Sequence, residues 1–299
     1  MQMNQKQLMK KHRELIEETV GLLTATFDAY YASVYSFLDK TMIQDGEVNP
    51  SYSQDYVISS LAARKKQLEQ KLQEIVDEQM EEAFLLGFLF FEGVTQEEIR
   101  STYHNSVIKA EVIATLNEVA SNTDRRLLQI VRTGYQDKLM ADIERRRSLG
   151  TISKLIQEKV TAENFYKEVK QNGFVGYVDK LGRRWKPDVY ARMLLRTKTM
   201  EANIGIQQEQ GLLTGIDMAY ISGVPVDNPC NNWIGCLVSM NGLTPILPTY
   251  QQVKDTGEVF HHNCQHYLIP VRSFENCPNY VLDRTEQKYG IDLSQYKES

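Results

Sequence analysis

The stretch QLMKKHRELIEETVGLLTATFDAYYASVYSFLDKTM, residues 7–42, decides the architecture of this chain. Its apolar side chains fall at Met9, Leu15, Ile16, Val20, Leu23, Phe27, Tyr30, Tyr31, Val34, Phe37 and Leu38. Steps of three and four residues place them on one side of a helix that turns every 3.6 residues, so the stretch predicts a long amphipathic helix. Asp45, Gly46, Asn49 and Pro50 then mark a loop. A second stripe runs from Tyr56 to Phe91 through Leu61, Leu68, Leu72, Ile75, Val76, Met80, Ala83, Phe84 and Leu86. As one helix it would be roughly 50 Å long. Its last turns, Phe84 to Phe91, are nearly all apolar, which predicts burial among helices or against a partner.

Beyond Gly93, Thr95 and Glu98 have the spacing of a capping box that opens a further helix. Another helix is predicted from Thr123 to Arg147, ended by Gly150, with Thr151 or Thr161 capping short helices after it. The period changes near Asn172. Gly173 to Val178, the turn Asp179–Gly182 and Arg183-Arg184-Trp185 read as a β-hairpin. Pro187-Asp188 opens a helix expected to reach about Gly211, and short strands are expected at Met218–Ile221, Ile234–Val238 and Tyr267–Val271. The fold class is therefore α+β and predominantly helical. It comprises a long N-terminal helical part over 1–170, a small α+β module with a β-hairpin over 171–273, and a C-terminal tail over 274–299.

Composition narrows the function classes. With 299 residues, 42% hydrophobic and 24% charged, the chain can bury a real core. A net charge of −5 argues against a binder that grips nucleic acid through overall positive charge, while leaving room for a local basic patch. Residues 124–159 supply such a stretch, with Arg125, Arg126, Arg132, Lys138, Arg145, Arg146, Arg147, Lys154 and Lys159 against five acids. It reads as a solvated helical face, or as a contact for packaged DNA or an acidic protein. The first residues lack the apolar core of a secretory signal, and the run Ala83–Phe91 is too short to span a bilayer, so nothing calls for a membrane.

All four cysteines, Cys230, Cys236, Cys264 and Cys277, lie in the last quarter of the chain beside histidines. Without a secretory signal, this favours thiols or thiolate ligands over disulfides. Asp227-Asn228-Pro229-Cys230, Cys236 and the run His261-His262-Asn263-Cys264-Gln265-His266 form the densest polar cluster. Cys230, Cys236 and Cys264 with His261 or His266 would give a tetrahedral Cys₃His set, which suits a closed, structural Zn²⁺. The alternative is that Cys230 and Cys264 are buried small hydrophobes with a histidine hydrogen-bonded nearby. A third reading makes His261–His266 a metal-dependent nuclease centre needing Asp217 or Asp227, although no nuclease motif is complete. Arg192 and Arg196 share a helical face, with surface ion pairs as the default. No phosphate-binding G-x-x-x-x-G-K-[ST] segment occurs, so ATP-driven packaging is not indicated.

Several pieces occur in an order that resembles the phage minor head protein family, the head morphogenesis or Mu F-like minor capsid group. They are Asp179–Trp185; Tyr190–Thr197 with its Arg196-Thr197 pair; Gly215-Ile216-Asp217; Asp227–Cys230 with Cys236; Asn241-Gly242; and Thr256-Gly257 through His261–His266 to Pro270. The family's His-Pro-Asn-Cys-Arg-His appears here with His262 for proline and Gln265 for arginine. The resemblance covers roughly residues 170–272. It implies a protein of the virion, at the portal vertex or inside the head, met in the host cytoplasm during assembly; the lack of a complete catalytic set adds the expectation that it is not an enzyme. The implied partners are the portal protein, the major capsid protein and packaged DNA. Some relatives carry toxin domains, but the 24 residues after Glu275 are too few for one. They are expected to pack or to hook onto a partner. A cytosolic helical adaptor unrelated to phage is the competing reading.

Overall fold

The computed structural model describes residues 5–89, 107–147, 161–174, 176–179, 181–223, 225 and 227–296. In chain order the elements are helix α1 (Gln5–Met42), strands β1 (Ile43–Gln44) and β2 (Glu47–Val48), and helices α2 (Gln54–Phe88), α3 (Val107–Arg147) and α4 (Ala162–Glu168). The hairpin strands β3 (Tyr177–Val178) and β4 (Arg184–Trp185) follow, then helix α5 (Pro187–Thr214) and strand β5 (Met218–Ser222). The rest are β6 (Leu237–Ser239), α6 (Tyr250–Asp255), β7 (Tyr267–Val271) and α7 (Asn279–Tyr289). The fold is the helix-dominated α+β class expected, with short antiparallel sheets. Thr161 caps α4, its hydroxyl accepting from Asn164 N–H at 3.2 Å. The expected capping box at Thr95 and Glu98 and the stop at Gly150 lie outside the described residues.

The chain divides into two compact units, and α1, α2, α3 and α5 each contribute to both. One unit comprises Gly21–Ile75 and Ile113–Arg192. The heptad-like stripe of α1 buries Leu23, Phe27, Val34, Leu38 and Met42 here, and α2 and α3 add Val57, Leu61, Leu72, Leu116, Leu127 and Val131. Each such side chain removed from water contributes on the order of 1.5–3 kcal/mol. Phe174 closes this core against Tyr31 and Tyr35, with ring centroids at 4.4 and 5.5 Å. Residues 43–48, expected as a loop, form a two-residue hairpin. Asp45 and Gly46 both take positive φ, 52° and 77°, the geometry that a tight hairpin with right-handed strand twist requires.

The other unit comprises Met1–Val20, Val76–Val112 and Met193–Ser299. Its centre is a three-stranded antiparallel sheet in the order β6-β5-β7. The middle strand β5 is buried on both faces from Met218 to Ile221, so its sequence reads as continuous apolar residues rather than alternating ones. Ile16 and Val20 of α1, Met200 and Ile204 of α5, and Val281 and Leu282 of α7 join the same core. The C-terminal segment therefore packs into this unit.

Two buried polar groups shape this unit. Asp217 accepts hydrogen bonds from Ser239 Oγ at 2.5 Å, Asn241 N–H at 2.7 Å and Thr244 Oγ1 at 2.9 Å, fixing the turn after β6. His12 lies on the buried side of α1 at 6% exposure, and its Nε2 has no hydrogen-bond partner among the described residues. Burial disfavours its charged form and brings its pKa down to about 4.

Candidate metal centre

Two loops of the sheet unit carry the thiols and imidazoles. After β5 the chain enters a 3₁₀ turn, Pro229–Trp233, where proline can sit because the first N–H of a helix has no internal partner. The Asn228 side chain caps the turn by accepting from Cys230 N–H at 2.9 Å. Trp233 anchors its far end: the indole N–H donates to Glu258 at 2.8 Å, and the Lys288 ammonium lies 4.0 Å from the ring centroid. Cys230 is thereby held inward at 1% exposure.

The second loop, His261 to His266, leads into β7. Asn263 adopts a left-handed conformation, φ 66°, which asparagine tolerates better than most residues. The Arg196-Thr197 pair of α5 holds it. Asn263 N–H donates to Thr197 Oγ1 at 3.0 Å, and Arg196 donates to Asn263 Oδ1 at 3.3 Å and to Glu17 at 2.8 Å. Arg192 pairs with Asp188 at 3.1 Å, so the nearer partners of both arginines are carboxylates.

These loops bring Cys230, Cys264 and His266 together, with ligand-capable atoms all within 4.8 Å of one another and all three residues buried. Cys264 Sγ lies 3.2 Å from His266 Nδ1. Cys230 Sγ lies 2.9 Å from Nε2 of the exposed His261, whose Nδ1 lies 2.9 Å from the His262 carbonyl oxygen. A carbonyl can only accept, so Nδ1 carries the proton and Nε2 presents its lone pair to the thiol. Burial, with Cys264 beside it, pushes the Cys230 thiol up to about 11. Burial, then the neighbouring His261, pushes His266 down.

The arrangement fits a small soft-ligand cation. Ligand atoms around a tetrahedral zinc are about 3.4–3.8 Å apart, and the atoms of this cluster lie within 4.8 Å of one another, close enough for one ion to draw them together. His266 Nε2 is buried and has no hydrogen-bond partner among the described residues, an unsatisfied polar atom at the cluster itself. Cys236 lies elsewhere. It follows Gly235, whose φ of 82° redirects the chain, and its Sγ faces the carbonyls of Asn232 and Arg284 at 3.7 and 3.9 Å. Cys277 likewise turns to the Ser273 carbonyl at 3.5 Å. Asp217 is committed to the turn after β6, and Asp227 is exposed.

Gly223 escapes sequence reasoning. A Cβ there would stand 2.5 Å from His266 Cδ2 and 2.9 Å from Nε2, so the imidazole occupies the space a side chain would need. The only signal is a glycine directly after a strand, which marks close approach without saying of what.

A buried thiol–imidazole cluster thus joins two loops of the sheet unit in a largely helical chain. The sequence profile described as phage minor capsid protein 2 matches residues 49–276, well over half of the chain, and the chain belongs to that family. It is a structural protein of the phage head, not an enzyme, and the family is the one to which the resemblance read from Asp179 to His266 points. No curated protein and no solved structure matches it. No helix among the described residues is long and apolar enough to cross a membrane.

Proposed function

We propose that this minor capsid protein acts in procapsid assembly at the portal vertex or the inner face of the head, contacting the portal or major capsid protein and packaged DNA. It then remains in the virion, having met its partners in the host cytoplasm. The helical part, residues 1–170, makes the contacts. The module over 171–273, completed by 274–299, is the folded anchor. Family membership supports the head role. The observation that carries the metal reading below is the convergence of Cys230, Cys264 and His266, with His261 beside them, on a chain whose turns hold those loops in place.

In this reading Cys230, Cys264, His266 and His261 hold one structural Zn²⁺. The ion would supply a cross-link between two loops distant in sequence, worth folding free energy because the unfolded chain offers no preformed site. Thr197, Asn228 and Trp233 position the loops, and Gly223 leaves room for the ring of His266.

Native purification tests both parts. Chain recovered from procapsids and heads, cross-linked to portal or capsid protein, supports the assembly role; its absence from every head fraction overturns it. About one zinc per chain, lost in Cys230→Ser and Cys264→Ser and retained in Cys236→Ser, supports the ligand set. Metal-free protein prepared without chelators sinks the zinc site while leaving the assembly role to the head fractions.

A further inference from the structure

Between α1 and α2, within the unit that holds residues 21–75, lies a cavity of about 130 Å³ with no carboxylate among its lining residues. Thr26 and Ser33 come from α1; Arg64, Gln67 and Lys71 come from α2. The guanidinium of Arg64 is already oriented. Its Nε donates to Ser33 Oγ at 3.1 Å, Nη1 donates to the Ser60 carbonyl at 3.0 Å, and its plane lies 4.1 Å from the Phe37 ring centroid. Nη2 has no partner among the described residues. Ser33 accepts from Arg64, so its own O–H remains free to donate. Gln67 and Lys71 form no hydrogen bond or ion pair among the described residues, leaving an amide N–H₂ and an ammonium available.

The cavity therefore presents donors of two charged and two neutral kinds. The carboxylates whose field reaches Tyr30, a further lining residue, are Asp124 and Glu69; neither lines the cavity, and Glu69 is paired with Lys65 at 3.3 Å. An arginine fixed on two sides, with a lysine and a hydroxyl about the same space, matches a group that offers several acceptor oxygens in tetrahedral array. A lone carboxylate would satisfy fewer of these donors. We infer that this cavity binds a phosphoryl group, either a phosphodiester of DNA or a free phosphate. The DNA source rests on the head-interior role proposed above; the phosphate chemistry does not.

Full-length protein should be titrated with inorganic phosphate by calorimetry, and with a fluorescent duplex oligonucleotide by anisotropy at several salt concentrations. Lys71 is exposed, so Lys71→Gln tests the site without threatening the fold. Arg64→Gln adds a second arm, with circular dichroism to verify folding, and Lys10→Gln at the exposed Lys10–Glu14 pair controls for loss of charge alone. The expected result is phosphate binding lost in Lys71→Gln and Arg64→Gln but kept in Lys10→Gln. DNA binding in the same variants should weaken several-fold, with a slope of log Kobs against log salt lower by about one. Loss of phosphate binding with unchanged DNA binding supports the cavity with free phosphate as its ligand, and counts against DNA as the source. Phosphate and DNA binding unaltered by both variants overturns the inference. So does equal weakening by Lys10→Gln, or displacement of phosphate by a short poly-glutamate at lower concentration.

Discussion

Lowering the pH from 7 to 4 should destabilise this protein through His12 in particular. The imidazole is buried in α1 with a folded pKa of about 4, while an unfolded histidine titrates near 6.5. Below pH 6.5 the unfolded chain takes up a proton that the folded chain refuses, so the unfolded state is favoured. The contribution is fully present above pH 6.5 and is lost as pH falls towards 4. At about 1.4 kcal/mol for each pH unit across that window, the loss approaches about 3 kcal/mol. Urea denaturation followed by circular dichroism at pH 7, 6, 5 and 4 would measure it. Other groups also titrate, so the informative quantity is the difference between wild type and His12→Gln. The variant starts less stable at pH 7, because a buried amide replaces a fitted ring, but its stability should fall with pH less steeply by about that amount. Parallel curves for the two proteins would refute the assignment, showing that His12 is protonated in the folded state or becomes solvated without unfolding.

Three further outcomes follow from local geometry. Asp217→Ala strands three donors on one buried turn and should cost about 4 kcal/mol in the same denaturation assay, with Asp217→Asn near 2 because one acceptor oxygen survives; a cost under about 1 kcal/mol for alanine would contradict the network. Gly223→Ala places a methyl within 2.5 Å of the His266 ring, and under the zinc reading proposed above zinc affinity measured by chelator competition should drop at least about tenfold, the scale of a lost supporting contact; unchanged affinity would remove His266 from the ligand set. Thr197→Val keeps shape but removes the acceptor for Asn263 N–H, so hydrogen exchange at Asn263 and Cys264 should quicken while α5 stays protected; unchanged exchange would show that Arg196 alone holds the loop.

Long periodic elements were legible in the sequence because their pattern repeats over many turns. The stripe from Met9 to Leu38 lies within α1, and the stripe from Leu61 to Leu86 lies within α2. Shorter elements were not, because periodicity needs length. The hairpin at 43–48 has two-residue strands, and only its Asp45-Gly46 turn carries a signal. Helix α6 spans six residues, so its capping box, Thr249 with Gln252, is easily passed over. Helix α3 begins at Val107, well before the stripe that starts at Thr123. At the cluster, residue types narrowed the donors to Cys230, Cys236, Cys264, His261 and His266, since few other functions need thiols beside imidazoles. Which of them converge depends on backbone direction. The positive φ values of Gly235 and Asn263 turn Cys236 towards α7 and hold Cys264 beside Cys230, and neither angle can be read from spacing.

The core that surrounds the sheet has a consequence for timing. It unites Ile16 and Val20 with Leu282 and Leu293, far away along the chain. Such pairings must close a long loop before they return any free energy, which makes them slow and late. Residues 21–75 and 113–192 can reach their own compact unit through shorter closures, whereas the unit bearing the thiol–imidazole cluster waits for the long ones. A partly folded chain would thus lack the finished sheet unit and the thiol–imidazole cluster that it carries.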